Sequence, residues 1–119
     1  MQLIQQPVNS KVCGQACVAM ARGCTLEEAV GKVGRGWRST QTKDLVKGLR
    51  DVFRCPSRLR KITPKTPLPA RAVVKLSFRG KRGWHWVLWW DGRVYDPYPY
   101  QHPPRSFGVY SSFLDLTLT

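Results

Sequence analysis

The chain has 119 residues, enough for one domain spanning residues 1–119 but too few for two. No apolar run approaches the roughly 18 residues that a membrane span needs, and no secretory signal opens the sequence, so we expect a cytoplasmic protein with reduced thiols. Lysine and arginine outnumber the acidic residues by 20 to 7, and the net charge of +13 predicts attraction to polyanions such as nucleic acid, an acidic protein or an anionic surface.

Two short helices are predicted after an extended entry segment. The first covers Cys13–Arg22 and ends at Gly23, because glycine is typical of the position after a helix C-terminus. Thr25 and Glu28 have the spacing of a capping box, and they open a second helix that ends near residue 33. The chain is then predicted to break at three glycines, Gly31, Gly34 and Gly36.

Residues 39–53 have the clearest helical periodicity in the chain. Their apolar positions share one face of the predicted helix and comprise Leu45, Val46, Leu49, Val52 and Phe53. A polar side chain is expected to cap the start of this helix, and the candidates are Ser39, Thr40 and Thr42. The pattern predicts that the apolar face of this third helix packs into the core.

The composition of the sequence changes after Cys55, because frequent prolines exclude long helices from there on. Four strands are predicted, over residues 72–78 and 84–90, from residue 93 onward, and over residues 107–118. Asp91-Gly92 is a strong hairpin signal between the second and third strands. Helices followed by antiparallel strands indicate an α+β fold, in which N-terminal helices pack on a C-terminal antiparallel sheet.

The four cysteines differ in what their positions predict. Without a secretory signal disulfides are not expected, and although Cys13 and Cys17 have the spacing of two zinc ligands, no second close pair of Cys or His follows them. Cys13 begins the first helix, where unpaired backbone N–H groups and the helix dipole favour a thiolate. Cys17 lies one turn further on and is expected to pack as a small hydrophobe. Cys13 is therefore the candidate nucleophile.

His85 is the candidate base that would serve this nucleophile. A histidine inside an aromatic strand is by itself more often a core residue, and His102 in a proline-rich loop is the weaker candidate. A turn at Asp91-Gly92, however, brings His85 and Asp96 to the same end of adjacent strands. A carboxylate at that place can accept the second imidazole N–H, fix the tautomer and stabilise the imidazolium. The pattern is that of a Cys-His-Asp triad.

Two segments of the chain resemble motifs of the bacteriocin-processing, double-glycine leader peptidases and their wider papain-like relatives. The first runs from Gln6 through Cys13-Gly-Gln-Ala16 to Met20. The second begins with His85-Trp-Val-Leu and, after the turn, ends with Asp96-Pro97. Residues 40–49 resemble the helix between the family's motifs, so the resemblance covers most of residues 5–97. Transglutaminase-like enzymes share the order Cys, His, Asp, so the superfamily is implied more firmly than the family.

The resemblance implies a papain-like fold with Cys13, His85 and Asp96 as catalytic residues. It also implies that a glutamine, Gln6 or else Gln5, completes an oxyanion hole with the backbone N–H of Cys13. The implied reaction is hydrolysis of a peptide or isopeptide bond through a thioester, without metal or cofactor. The substrate is then a peptide or protein, and the charge of the chain favours an acidic one.

Two other functions stay open at this stage. A thioester-based acyl transferase would use the same triad, with an amine in place of water. A basic host-interaction module on a papain-like scaffold would bind nucleic acid or an acidic protein, although no nucleic-acid-binding motif accompanies the charge. The aromatic residues around His85, notably Trp84 and Trp86, are expected either to wall a cleft or, as is commoner, to pack in the sheet core.

Overall fold

Three helices precede an antiparallel sheet in the computed structural model of the chain, which describes residues 1–80, 83–99 and 108–117. The helices are α1 (Cys13–Arg22), α2 (Leu26–Val33) and α3 (Thr42–Leu49). The strands are β1 (Arg60–Lys61), β2 (Arg71–Phe78), β3 (Trp84–Trp90), β4 (Arg93–Tyr95) and β5 (Gly108–Asp115). The α+β class and the segregation of helices from strands are as predicted, and no helix within the described ranges is long and apolar enough to cross a membrane.

The first two helices follow their local signals. Gly23 ends α1 in the left-handed conformation, with a φ of 71°, which glycine adopts without steric cost. The Thr25 side chain accepts a hydrogen bond of 3.2 Å from the backbone N–H of Glu28, as the capping-box spacing predicts. Gly34 ends α2 with a φ of 77°, whereas Gly31 lies inside the helix and does not break it. The prediction was wrong for Gly31 because a single glycine only weakens a helix.

The start of α3 differs from the prediction. Its N-cap is Gln41, and none of the expected caps Ser39, Thr40 and Thr42 holds that position. The backbone N–H of Gln41 donates to Oδ2 of Asp44 at 2.8 Å, so the acidic side chain in the first turn ties down the start of the helix. Thr40 is instead buried, and its carbonyl accepts hydrogen bonds from the sheet.

The end of α3 also comes earlier than the predicted residue 53. Leu45 and Leu49 are fully buried, as the periodicity predicts. Beyond Arg50 the chain leaves the helix in a turn, so Val52 points outward and is 55% exposed, contrary to the prediction. Phe53 is turned back against the core, where its ring meets the edge of Trp90.

The five strands form one sheet in the order β1-β5-β2-β3-β4, and every neighbouring pair is antiparallel. The β3–β4 hairpin turns at Asp91 and Gly92, whose φ values of 50° and 88° are both positive, as the predicted Asp-Gly turn requires. The last strand lies within the range predicted for it, residues 107–118, whose first and last residues are outside the described part. The short β1 was not predicted, because two residues carry no detectable alternation.

The helices cover one face of this sheet and create the larger core. Its members alternate along each strand with residues of the opposite face, which is why Trp86 and Leu88 join the helices while Val87 does not. The smaller core on the opposite face consists of Ala72, Val74, Val87 and Phe113. This packing brings the first turn of α1 to the β3 edge of the sheet, where the candidate site lies.

Candidate active site

Cys13 is the first residue of α1, and the local structure leaves backbone donors free around it. The first hydrogen bond of the helix runs from the N–H of Ala16 to the carbonyl of Val12, at 2.9 Å. The N–H groups of Cys13, Gly14 and Gln15 therefore have no carbonyl partner within the helix. Together with the helix dipole, these groups place a positive potential next to the Cys13 sulfur.

The sulfur of Cys13 also contacts the edge of β3. β4 pairs with Leu88, Trp89 and Trp90, and no strand among the described residues covers the preceding part of the β3 edge. The N-terminus of α1 occupies this place, and the backbone N–H of Trp86 donates to the Cys13 Sγ at 3.5 Å. A shortened strand thus creates the space for the nucleophile, and a backbone donor of the sheet stabilises negative charge on its sulfur.

His85 and Asp96 meet as the hairpin register predicts. Leu88 is paired with Tyr95, so extending the register by one residue sets Asp96 opposite Val87 and diagonal to His85 on the same face. His85 Nε2 and Asp96 Oδ1 are 2.7 Å apart, and His85 is only 5% exposed. The carboxylate therefore holds Nε2 and leaves Nδ1 as the imidazole nitrogen available to Cys13.

The loop after β4 fixes the Asp96 carboxylate in turn. Its Oδ1 also accepts the backbone N–H of Tyr98 at 2.9 Å, a turn typical of an aspartate followed by proline. The Tyr98 ring stands edge-on to the imidazole, with ring centroids 5.9 Å apart. The orientation of His85 is thus set by a carboxylate that is itself oriented by the backbone.

Cys13 lies next to His85: the two side chains line the same cleft, and the Cys13 sulfur contacts the backbone N–H of Trp86, the residue after His85. Burial favours the neutral imidazole, but the hydrogen bonds with Asp96 and Cys13, and the negative charges of both, outweigh burial and raise the pKa of His85 to about 9. At neutral pH the imidazole is therefore protonated, and it carries a positive charge in the cleft that contains Cys13.

The other thiols lie in different surroundings. Cys17 is fully buried, as predicted, and burial together with the negative charges of Cys13 and Asp96 raises the pKa of its thiol. Burial also raises the pKa of Cys55, to about 11. Cys24 follows the C-terminus of α1, at the opposite end of the helix from the site. All four cysteines are free thiols, and within the described residues Cys13 is the one that shares a cleft with an imidazole.

Gln6 lies in the same cleft as Cys13 and His85, a cavity of about 450 Å³. Gln6 is 8% exposed; its side-chain amide donates to the Ser10 carbonyl at 2.9 Å, and its backbone N–H donates to the carbonyl of Pro97 at 2.8 Å. Gln5 is exposed and does not line the cleft. Of the two glutamines considered from the sequence, the fold therefore brings Gln6 to the cleft that contains Cys13.

Trp84 and Trp86 line this cleft, and Trp86 is at the same time a core residue. Gly14 allows the close approach of α1 to Thr40 and Trp86: a Cβ at Gly14 would overlap the Thr40 hydroxyl and lie 3.1 Å from the Trp86 ring. Both outcomes foreseen for the tryptophans, cleft wall and core, thus apply to Trp86.

Sequence reasoning missed Tyr98, Thr40 and Ser10 as parts of the site. The Asp-Pro-Tyr turn was a readable signal for Tyr98, whereas Thr40 and Ser10 act through backbone carbonyls, which no side-chain pattern reveals. His102 lies outside the described residues. Within residues 1–80, 83–99 and 108–117, no three His, Cys, Asp or Glu side chains are grouped as metal ligands.

Comparison with known proteins adds no assignment to this geometry. No protein-family model matches the chain, and no curated protein is detectably similar to it. The functional argument therefore depends on the arrangement of these side chains and on the motifs described above.

Proposed function

We propose that the chain is a papain-like, cysteine-dependent hydrolase that cleaves a peptide or isopeptide bond. The observation that carries the proposal is the 2.7 Å contact of His85 Nε2 with Asp96 in a cleft that His85 shares with Cys13. A histidine with a purely structural role in the core would need only one hydrogen-bond partner. A thiol, an imidazole and a carboxylate grouped in this way would supply the nucleophile, base and orienting group of acyl transfer.

In the proposed reaction, the Cys13 thiolate attacks the substrate carbonyl carbon and forms a C–S bond, while the carbonyl π electrons move onto oxygen. The tetrahedral intermediate collapses, the C–N bond breaks, and the His85 imidazolium gives its proton to the leaving amine. A water then gives a proton to the neutral imidazole as it attacks the thioester, and the acid product leaves with the thiolate restored. Asp96 keeps the imidazole oriented in both halves of the reaction.

The oxyanion of each tetrahedral intermediate requires two donors. The backbone N–H of Cys13 has no partner within the helix, and the Gln6 side-chain amide lies in the same cleft. The Gln6 amide nitrogen donates to the Ser10 carbonyl at 2.9 Å and to the Ser10 hydroxyl at 3.4 Å, and the longer of these two bonds is the one that the substrate oxygen replaces in the proposed reaction. We assign these two groups to the oxyanion hole.

The lining of the cleft favours an acidic substrate. Its residues within the described part of the chain include Lys11 and no carboxylate, and Asp96, just behind them, is engaged by His85 and Tyr98. Lys11 then attracts an acidic residue near the scissile bond, in agreement with the net charge of +13. An acyl transferase would show the same preference, because only the group that resolves the thioester differs.

Competitive alkylation tests the nucleophile. Intact protein is treated with limiting iodoacetamide near neutral pH, and the modified residues are mapped by mass spectrometry in the wild type and in His85→Gln. We expect Cys13 to react first in the wild type and to lose that preference in the variant, because the imidazolium that stabilises its thiolate is gone. Preferential labelling of Cys24 or Cys55 in the wild type would contradict the assignment.

A peptide and isopeptide library tests the reaction itself. Cleavage should be lost in Cys13→Ala, lowered by about 10² to 10⁴ in His85→Gln, and kept in the matched thiol variant Cys24→Ala. Adding an amine nucleophile distinguishes transfer from hydrolysis, since a transferase forms the amide product at the expense of the acid. Equal cleavage by the wild type and Cys13→Ala would disprove the proposed enzyme.

A further inference from the structure

Residues 36–40, which we call the strap, connect α2 to α3 and cross the first turn of α1. Two strap carbonyls accept the side-chain amide of Gln15: that of Gly36 at 3.1 Å and that of Arg38 at 2.8 Å. Gln15 is fully buried and lies two residues after Cys13. The strap is therefore bonded to the helix turn that carries the nucleophile.

The far end of the strap is bonded to the strand that carries the base. The carbonyl of Thr40 accepts the indole N–H of Trp84 at 3.0 Å and that of Trp86 at 3.1 Å. These two tryptophans flank His85 in β3, and Thr40 is 1% exposed. The carbonyls of residues 36 and 38 thus accept hydrogen bonds from α1, and the carbonyl of residue 40 accepts hydrogen bonds from the sheet.

Directed hydrogen bonds of this kind restrict geometry more than apolar packing does. Hydrophobic contacts tolerate small shifts, whereas a buried donor that loses its acceptor is left without compensation for its lost hydration. The contact of Thr40 with Gly14 adds a steric limit, because even a Cβ at Gly14 would overlap the Thr40 hydroxyl. The helix start cannot move relative to β3 without breaking or straining one of these contacts.

We propose that the strap is a positioning device that holds Cys13 beside His85 in their shared cleft, with Gln15 and Trp84 as its positioning residues. The inference rests on the proposed function, since it concerns the same nucleophile and base. Neither side chain takes part in the chemistry. Their effect is transmitted through the carbonyls of residues 36, 38 and 40, which hold α1 and β3 in a fixed relation.

Trp84→Phe is the first test, because it removes one indole donor and leaves Trp86 bonded to the same carbonyl. Its matched control is Trp89→Phe on the same strand, which removes an indole bond of 2.8 Å to the Pro69 carbonyl, away from the site. The rate of Cys13 alkylation is measured against pH for both variants and the wild type. Loosening the Cys13–His85 contact weakens a bond that keeps the imidazolium protonated, so the alkaline limb of the Trp84→Phe profile should move down by roughly 0.5 to 1 pH unit.

The Trp89→Phe limb is expected to stay where the wild-type limb lies, even if the variant is less stable. A second strap variant, Gln15→Met, keeps the volume of the side chain and removes both bonds to the strap. It should move the limb in the same direction as Trp84→Phe. An unchanged limb in Trp84→Phe, or an equal shift in Trp89→Phe, would overturn the strap proposal. If wild-type Cys13 shows no preferential alkylation at all, the proposed function itself fails, and the two failures are thereby distinguished.

Discussion

His85 is held between two opposing influences. Burial favours its neutral form, while hydrogen bonds and negative charges from Asp96 and Cys13 favour the imidazolium and raise its pKa to about 9. The electrostatic partners prevail because the Asp96 carboxylate lies 2.7 Å from Nε2 and Cys13 lines the same cleft, so both act on the ring at short range. The side chain is therefore charged over the whole physiological range, unlike an ordinary histidine.

This charge predicts a pH dependence with a defined sign. The pKa of His85 is raised from 6.5 to about 9 on folding, so the imidazolium contributes stability that is fully present below pH 6.5 and is lost as the pH rises through about 9. Peptide cleavage and Cys13 alkylation should lose their imidazolium-dependent part over the same alkaline range. Urea unfolding and alkylation rates measured from pH 6 to about 10 would test this. An alkaline limb with its midpoint close to pH 6.5, the ordinary pKa of histidine, would contradict the raised pKa of His85.

Asp96→Asn isolates the charge of the carboxylate. An asparagine oxygen can still accept from His85 and Tyr98, so the geometry is preserved, but the bond to the ring is no longer charge-assisted. We expect the alkaline limb to fall by about one pH unit and turnover to drop, by as much as about 10⁴ if the loss matches that of a serine-protease triad.

The control is Asp91→Asn, which changes a carboxylate in the neighbouring turn. Asp91 is exposed and ion-paired with Arg71 at 3.2 Å, outside the cleft. The Asp91→Asn variant should leave both the alkaline limb of the pH profile and the turnover unchanged. Greater damage to turnover in folded Asp91→Asn than in Asp96→Asn would mean that the orienting carboxylate is misassigned.

Single residues were predictable where the chemistry and the turn were both local. His85 and Asp96 meet because an Asp-Gly turn fixes the hairpin register, and register fixes which side chains share a face. Thr40 could not be predicted, because its part in the site is a backbone carbonyl that two distant indoles reach. Cys13 was assigned from its place at a helix start, and its contact with the Trp86 N–H emerged only from the packing of α1 on β3.

Elements were predictable to the extent that their ends carry local signals. α1 and α2 end at glycines in the left-handed conformation, and their ends were placed correctly. α3 begins at an unusual cap, Gln41, and ends where Asp51 is turned toward the guanidinium of Arg22 on α1, so its limits depend on tertiary contacts. The apolar periodicity of the sequence predicted a helix that continues to residue 53, because a periodic pattern carries no information about such tertiary contacts.

Two glycines inside helices should respond oppositely to alanine. A Cβ at Gly31 in α2 would meet nothing within 4 Å, so Gly31→Ala should stabilise the protein by about 0.5 to 1 kcal/mol through helix propensity. A Cβ at Gly48 in α3 would lie 2.8 Å from Val33 Cγ2, so overpacking of about 1 to 3 kcal/mol should outweigh that gain in Gly48→Ala. Urea unfolding of both variants measures the difference. Equal stabilisation would show that the α2–α3 contact is looser than described.

For the molecule as a whole, the proposed catalysis and the net charge have separate structural requirements. The triad needs one buried imidazole, one carboxylate and one thiol, which the fold brings together from α1, β3 and the residue following β4. The net charge of +13 is instead spread over the chain, and its effect on a polyanion does not depend on the triad. The two properties can therefore be separated by a single substitution at Cys13.

Salt dependence gives the corresponding prediction. Each neutralised phosphate releases counterions, so binding of a DNA duplex should be weak, independent of sequence, and reduced by about 10³ or more between roughly 50 and 200 mM salt if several phosphates are contacted. Fluorescence anisotropy with DNA, and with an acidic peptide, measures this for the wild type and Cys13→Ala. Both proteins should bind alike, while only the wild type cleaves peptide.

The opposite pattern would favour a binding module over an enzyme. Such a module would hold one defined nucleic acid or acidic protein tightly at the higher salt concentration, and Cys13→Ala would retain the full biological effect. The site geometry argues for the first pattern, because a binding surface gains nothing from an imidazole that a carboxylate orients toward a thiol. A charged surface of +13 without that arrangement would bind polyanions equally well. The binding alternative therefore does not explain why Cys13, His85 and Asp96 are grouped at the cleft.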